Sequence, residues 1–248
     1  MKKNRFLNIL PFIVWFPLYF LLWLTYQARG NWYYLFASLV PFFLVLVPIA
    51  IVKFVEKQNV IQRFGFQRNR LLIIASLPIV AFLAVAVFGR TIDLWNSLYA
   101  VVVAPIPEEI FFRGYIQGFI QSRFTKKQPG VNVPTVNWKM AWVPILVSSM
   151  TFAVSHIFRY PDYTILFLIP AGLLYGLLFM LTKSILLPTA IHTGSNFISI
   201  LATTYFSQIQ FVLWLDVITL PAVLLSLAEI IDILRNRASL RKKETQQQ

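Results

Sequence analysis

Three ionisable side chains, Glu108, Glu109 and Arg113, stand within six positions of one another in a segment that is otherwise apolar from about Leu94 to Ile120. At membrane depth each such group costs on the order of 3 kcal/mol, so their grouping asks for a reason. Glu109 and Arg113 are spaced i, i+4 and face one another along one side of a helix. Paired burial is cheaper than burying either charge alone. Glu108 lies about 100° further round the helix and has no partner at helical spacing, which leaves it as the carboxylate available for chemistry. An isolated Glu-Glu-x-x-x-Arg fits equally well a cluster in which both glutamates pair with Arg113 and merely specify the fold. The chain has two histidines. His156 follows Phe152-Ala-Val-Ser, and a lone histidine there is more often a hydrogen-bonded core residue than a ligand. His192 and Asn196 are i, i+4 among small neighbours (Pro188-Thr-Ala-Ile-His192-Thr-Gly-Ser-Asn196). Such a pair can hold a water or an anionic oxygen, or can simply bond two helices together, typically for about 0.6 kcal/mol in a membrane.

The elements that must carry these residues are apolar helices. Of 248 residues, 58% are hydrophobic and 12% charged, against about half and a quarter in a soluble domain. The fold class expected is all-α, a polytopic membrane bundle of about eight transmembrane helices. The spans are Phe6–Tyr26, Trp32–Val52, Leu71–Phe88, Leu94–Ile120, Met140–Phe158, Tyr163–Leu181, Ser184–Tyr205 and Ile209–Leu234. The first is read as a retained helix rather than a cleaved leader, because no small-x-small site closes it. Counting at 1.5 Å per residue, Glu108 lies roughly 18 Å from the inner end of its helix, His192 roughly 13 Å above Lys183 and His156 roughly 24 Å above Met140, depths compatible with one site in a roughly 30 Å core. That compatibility raises a joint site above three separate readings.

Charge distribution sets the topology. The net charge is +13, yet the basic residues bracket apolar spans as they do beside anionic lipid, which argues against nucleic acid. Lys2 to Arg5, Lys53 to Arg70, Arg123 to Lys139, Lys183 and Arg235 to Lys243 alternate onto one side, leaving Arg29, Arg90 and Arg159 on the other. Both termini are expected to be cytoplasmic, in a cell membrane. The organisation expected is helices 1–3 over 1–93, a core over 94–206, and a last helix with a basic tail over 207–248. Gly172-Leu-Leu-Tyr-Gly176 is a small-xxx-small pattern that reads as plain packing. With no cysteine, disulfide and thiolate chemistry are excluded.

Three motifs in this order, Glu108-Glu109-Ile-Phe-Phe-Arg113, Phe152-Ala-Val-Ser-His156 and His192-Thr-Gly-Ser-Asn196, resemble the CPBP family of intramembrane proteases. That family includes CAAX prenyl proteases and bacteriocin-processing enzymes, and its bacterial domain is also called Abi. The resemblance covers about Leu94 to Thr204 with no departure at the motif positions. It implies peptide-bond hydrolysis in the bilayer. Glu108 would activate water, His156 and His192 would hold or polarise it, and Asn196 would assist or stabilise the oxyanion. Glu109, Arg113 and Phe152 would support them. The chemistry is consistent: amide hydrolysis needs an activated water, an oxyanion stabiliser and a proton for the leaving amine. Glu108, His156 and His192 also match a catalytic zinc set with an open position. The metalloprotease and the metal-free glutamate mechanisms both remain open, and the His-Glu-x-x-His signature is missing. The partners implied are membrane lipids and a peptide or membrane-protein substrate. Two other readings are carried forward. A proton-coupled transporter would show paired broken helices in related halves, and no such symmetry is visible. A non-catalytic membrane protein of the same fold, such as a bacteriocin immunity factor or scaffold, would show loss of a motif residue, and none is lost.

Overall fold

A computed structural model describes residues 6–66, 69–89, 97–124, 138–159 and 165–205, and every regular element among them is helical. In chain order these are α1 (Phe6–Gln27), α2 (Asn31–Ala50, continued by a π-turn over Ile51–Val55), α3 (Val60–Phe64), α4 (Asn69–Gly89), α5 (97–124), α6 (Trp138–Ser155), α7 (Ile165–Thr182) and α8 (Leu186–Tyr205). All but α3 correspond to expected spans. The eighth span, Ile209–Leu234, lies outside the described residues, and Asp216, Glu229 and Asp232 with it.

Helix α5 is the axis of the bundle, packing against α2, α6, α7 and α8. Its buried face carries Phe111, Phe112, Tyr115 and Ile116, which join Val52, Phe64, Phe152, Phe179 and Ile185 in one apolar core. It is not a uniform α-helix. Tyr99–Val103 is a π-turn, Pro105–Glu109 is α, Ile110–Gln117 is π again, and Gly118–Phe124 returns to α. The first irregularity has a cause in the sequence. In the π pattern the Ala104 N–H donates to the Tyr99 carbonyl at 2.8 Å, so the next carbonyl, on Ala100, would take the N–H of residue 105. Residue 105 is proline and has none. Wide turns of this kind often mark functional sites, and here they flank the two glutamates.

Helix α3 was not expected from sequence. Its five residues are too few to show a periodic pattern, but the ends are well determined. The Gln62 N–H donates to the Asn59 side chain at 3.1 Å, an N-cap. Gly65 closes the helix at φ 72°, and the Phe66 N–H returns to the Ile61 carbonyl at 3.0 Å. This capped turn is held beneath the core. The Ile185 N–H donates to the Phe64 carbonyl at 3.0 Å, and the Ser184 hydroxyl to the Gly65 carbonyl at 2.9 Å. Phe64 is fully buried against Gly114, where a Cβ would lie 2.6 Å from its ring. Nearby, Arg63 pairs with Glu56 at 3.5 Å. Burial lowers the pKa of the Arg63 guanidinium, and Glu56 opposes that shift.

The outer helices are apolar on the side turned away from the core. Phe16 and Phe42 are 67% and 63% exposed, and Phe12, Phe20, Leu39 and Leu46 also face outward. Two helical stretches, Ile9–Gln27 and Asn31–Val55, are long and apolar enough to cross a membrane. Ile73–Leu83, Trp142–Ser155 and Leu168–Thr182 are shorter apolar helical stretches.

Candidate active site

The polar residues of α5 divide their partners. Glu109 and Arg113 are both fully buried and pair at 3.2 Å through Oε2 and Nε, the i, i+4 contact expected from their spacing. Glu108 does not join that pair. Its carboxylate faces the two histidines, with Oε1 3.9 Å from His156 Nε2 and Oε2 3.7 Å from His192 Nε2. The arrangement in which both glutamates serve Arg113 is therefore not the one adopted. Adjacent glutamates instead bracket one imidazole: Glu109 Oε1 lies 2.9 Å from His192 Nδ1, while Glu108 addresses the opposite nitrogen.

Hydrogen-bond partners fix the tautomers. His156 Nδ1 lies 2.8 Å from the Phe152 carbonyl, which can only accept, so Nδ1 carries the proton. His192 Nδ1 faces a carboxylate and is likewise the donor. In their neutral forms both rings therefore present an Nε2 lone pair toward Glu108. Three acceptors meet with no donor between them, at separations too long for direct hydrogen bonds. A water, which has two hydrogens to give, suits that gap.

His156 meets Glu108 from the turn after its helix rather than from within it. The expected span ran on to Phe158, whereas α6 ends at Ser155 and residues 156–159 form turns. The imidazole takes the Phe152 carbonyl that the His156 N–H would use in an α-helix. The N–H shifts to the Ala153 carbonyl at 2.9 Å, and the helix ends there.

Aromatic faces hold the rings. Phe152 lies below His156 (centroids 4.7 Å apart) and edge-on to His192 (5.8 Å, 85°), with the Arg113 guanidinium 4.7 Å from its own ring. Tyr175, which sequence reasoning passed over, stacks on His192 at 4.9 Å and 20°, lies 5.2 Å from the Arg113 guanidinium, and forms a hydroxyl hydrogen bond with Ser195. Asn196 is one turn beyond His192. Its amide nitrogen donates to the Ala100 carbonyl at 2.8 Å, the carbonyl that Pro105 cannot serve. The amide has a second hydrogen, but its observed bond is to the helix backbone rather than to His192.

Glycines bring α7 close. Arg113 Nη2 reaches the Gly172 carbonyl at 3.5 Å, and Gln117 Nε2 donates to the Gly176 carbonyl at 2.7 Å. A Cβ on Gly176 would sit 2.9 Å from Gln117 Oε1 and from Ile145. The Gly172-x-x-x-Gly176 stripe thus does more than pack apolar surface, because its carbonyls receive two buried polar side chains.

Residues 76–198 match the family model described as Type II CAAX prenyl endopeptidase Rce1-like. Over those residues, just under half of the chain, the sequence is similar to that endopeptidase family. No curated protein and no solved structure matches the chain. The Rce1-like segment contains Glu108, Glu109, Arg113, Phe152, His156, His192 and Asn196, and leaves α1 and α2 outside. Two imidazole nitrogens and a carboxylate are zinc-type donors, but separations of 3.7 and 3.9 Å are wider than the edge of about 3.4 Å set by ligands roughly 2.1 Å from a tetrahedral zinc. Among the described residues no group of three or more His, Asp or Glu side chains is placed to hold a metal ion.

Proposed function

We propose that this chain is an intramembrane endopeptidase that hydrolyses a peptide bond of a membrane-associated or peptide substrate with a water activated by Glu108. The observation that carries this is the meeting of the Glu108 carboxylate with two imidazole Nε2 atoms across a water-sized gap, inside a segment similar to an endopeptidase family. The water donates one hydrogen to Glu108 and the other to an imidazole. Its oxygen attacks the scissile carbonyl carbon as Glu108 takes the first proton. The tetrahedral oxyanion needs donors. The second amide hydrogen of Asn196 is one candidate. His192 is another once it carries a proton on Nε2, with Glu109 and Arg113 keeping its ring in place. Glu108 then gives its proton to the departing amide nitrogen, the C–N bond breaks, and the carboxylate is restored. No step passes through a metal, and cleavage is expected to survive a strong chelator.

Membrane residence is part of the same proposal. Exposed apolar residues along α1 and α2 are the kind of surface that marks a membrane contact, and a bilayer would cover them. Cytoplasmic termini and eight spans follow from the distribution of basic residues. Nothing among the described residues favours the transporter or scaffold readings.

The test is cleavage of a membrane-peptide library by the purified protein and by Glu108→Gln, each with and without chelator, with metal content measured on the same samples. Loss of cleavage in the variant alone supports the water mechanism. Loss in chelator as well, with about one zinc bound, replaces it by a metalloprotease. Undiminished cleavage by Glu108→Gln sinks the assignment of the base.

A further inference from the structure

His156 stands on a turn rather than within a helix, so something beyond helical hydrogen bonding must hold it. Its ring Nδ1 bonds its local backbone, at the Phe152 carbonyl. The neighbours on either side are held from α1. The Trp15 indole N–H donates to the Ser155 hydroxyl at 3.0 Å, and Ser155 in turn donates to the Thr151 carbonyl at 2.7 Å. On the far side, Phe158 packs against Tyr19 (centroids 4.9 Å) and Tyr26 (6.3 Å), and Tyr19 packs against Trp15 (5.3 Å). Trp15, Tyr19 and Tyr26 follow one another at spacings of four and seven, so they form one stripe of α1. His156 is thus flanked on both sides by contacts to a helix that lies outside the family-matched segment.

We infer that α1 is a positioning element of the active site, and that the Trp15–Ser155 hydrogen bond and the Tyr19–Phe158 contact hold the His156 turn so that Nε2 faces Glu108. Trp15 and Tyr19 touch no reacting atom and act only through His156. The inference rests on the endopeptidase reading for its effect on turnover, but the position of His156 can be read without turnover. With only two histidines in the chain, ¹⁵N-histidine labelling gives two imidazoles, assigned by His192→Gln, and their nitrogen shifts report tautomer and exchange.

The experiment compares the full chain in detergent with Trp15→Phe, which keeps an aromatic ring but loses the N–H, with Ser155→Ala, which removes the same bond from the other side, and with the double variant. Phe16→Leu, on the exposed face of α1, is the control. The expected result is loss of the single Nδ1–H form or broadening at His156, with His192 unchanged, in Trp15→Phe and Ser155→Ala alike. The double variant should be no worse than either. Turnover should fall about tenfold with KM and the thermal midpoint little changed, as for a small misplacement of a reacting group. A wild-type His156 spectrum in both single variants overturns the inference, whatever the activity. Equal perturbation of both histidines also overturns it, by making α1 a general support of the fold. A selective His156 change in a protein that cleaves nothing upholds the positioning role and removes the endopeptidase reading instead.

Discussion

Glu108 and Glu109 are chemically identical neighbours with different work, and substitution should separate them. Glu108→Gln is nearly isosteric and leaves the Glu109–Arg113 pair intact, so we expect an unchanged thermal midpoint with cleavage reduced by a factor on the order of a thousand. Arg113→Ala should do the reverse first. It leaves a fully buried carboxylate with the His192 imidazole as a partner but no guanidinium, and should lower stability by about 3 kcal/mol, read as an earlier unfolding midpoint in detergent. An unaltered midpoint would remove Arg113 from its supporting role. The glutamates, both histidines and Arg113 were legible because a strongly polar residue in an apolar span is conspicuous against its neighbours. Tyr175 was not, because an aromatic ring in Leu-Leu-Tyr-Gly-Leu-Leu looks like any other core residue. Only its 20° stack on His192 sets it apart.

Helices here are brought together through glycines, and the cost of a methyl group can be stated for each. Gly176→Ala pushes into Gln117 and Ile145, both buried in close contact, and should destabilise by about 1–3 kcal/mol. Because the same change displaces the Gln117 bond to the Gly176 carbonyl, activity should fall with stability rather than independently of it. Gly65→Ala combines a positive φ with a collision against the Lys183 carbonyl and should release α3 from the core, detectable as faster hydrogen exchange over residues 60–66 in the variant than in the wild type. Long apolar elements were legible from sequence to within a few residues. The capped turn of α3 was not, since its fixing contacts are to Ser184 and Ile185, over a hundred residues away. The end of α6 was missed for a different reason: His156 itself takes the carbonyl that would have extended the helix.

Across the whole molecule, α2 should separate two aqueous compartments. The chain lacks cysteine, so a single introduced thiol is an unambiguous reporter. Asn31 and Gln58 are both exposed and stand at opposite ends of α2 and its π extension. Asn31→Cys should react with a membrane-impermeant reagent added outside intact cells, and Gln58→Cys only after the membrane is opened. Equal labelling of both from one side would exclude the proposed topology. The asymmetry of lysine and arginine is the ground for that expected orientation, because it lies in composition rather than in packing. The wide turns of α5 were hidden, since they leave the apolar pattern intact and show only in which carbonyl each N–H selects. They make the phase of the glutamate pair adjustable. A π-turn takes up an extra residue, so Ile110–Gln117 sets the angle between the Glu108 side of α5 and the Gln117 side that meets α7. Removing one residue there and restoring α geometry would turn the two halves against each other by about 100°, leaving a helix of ordinary appearance whose carboxylates no longer share a face with the histidines.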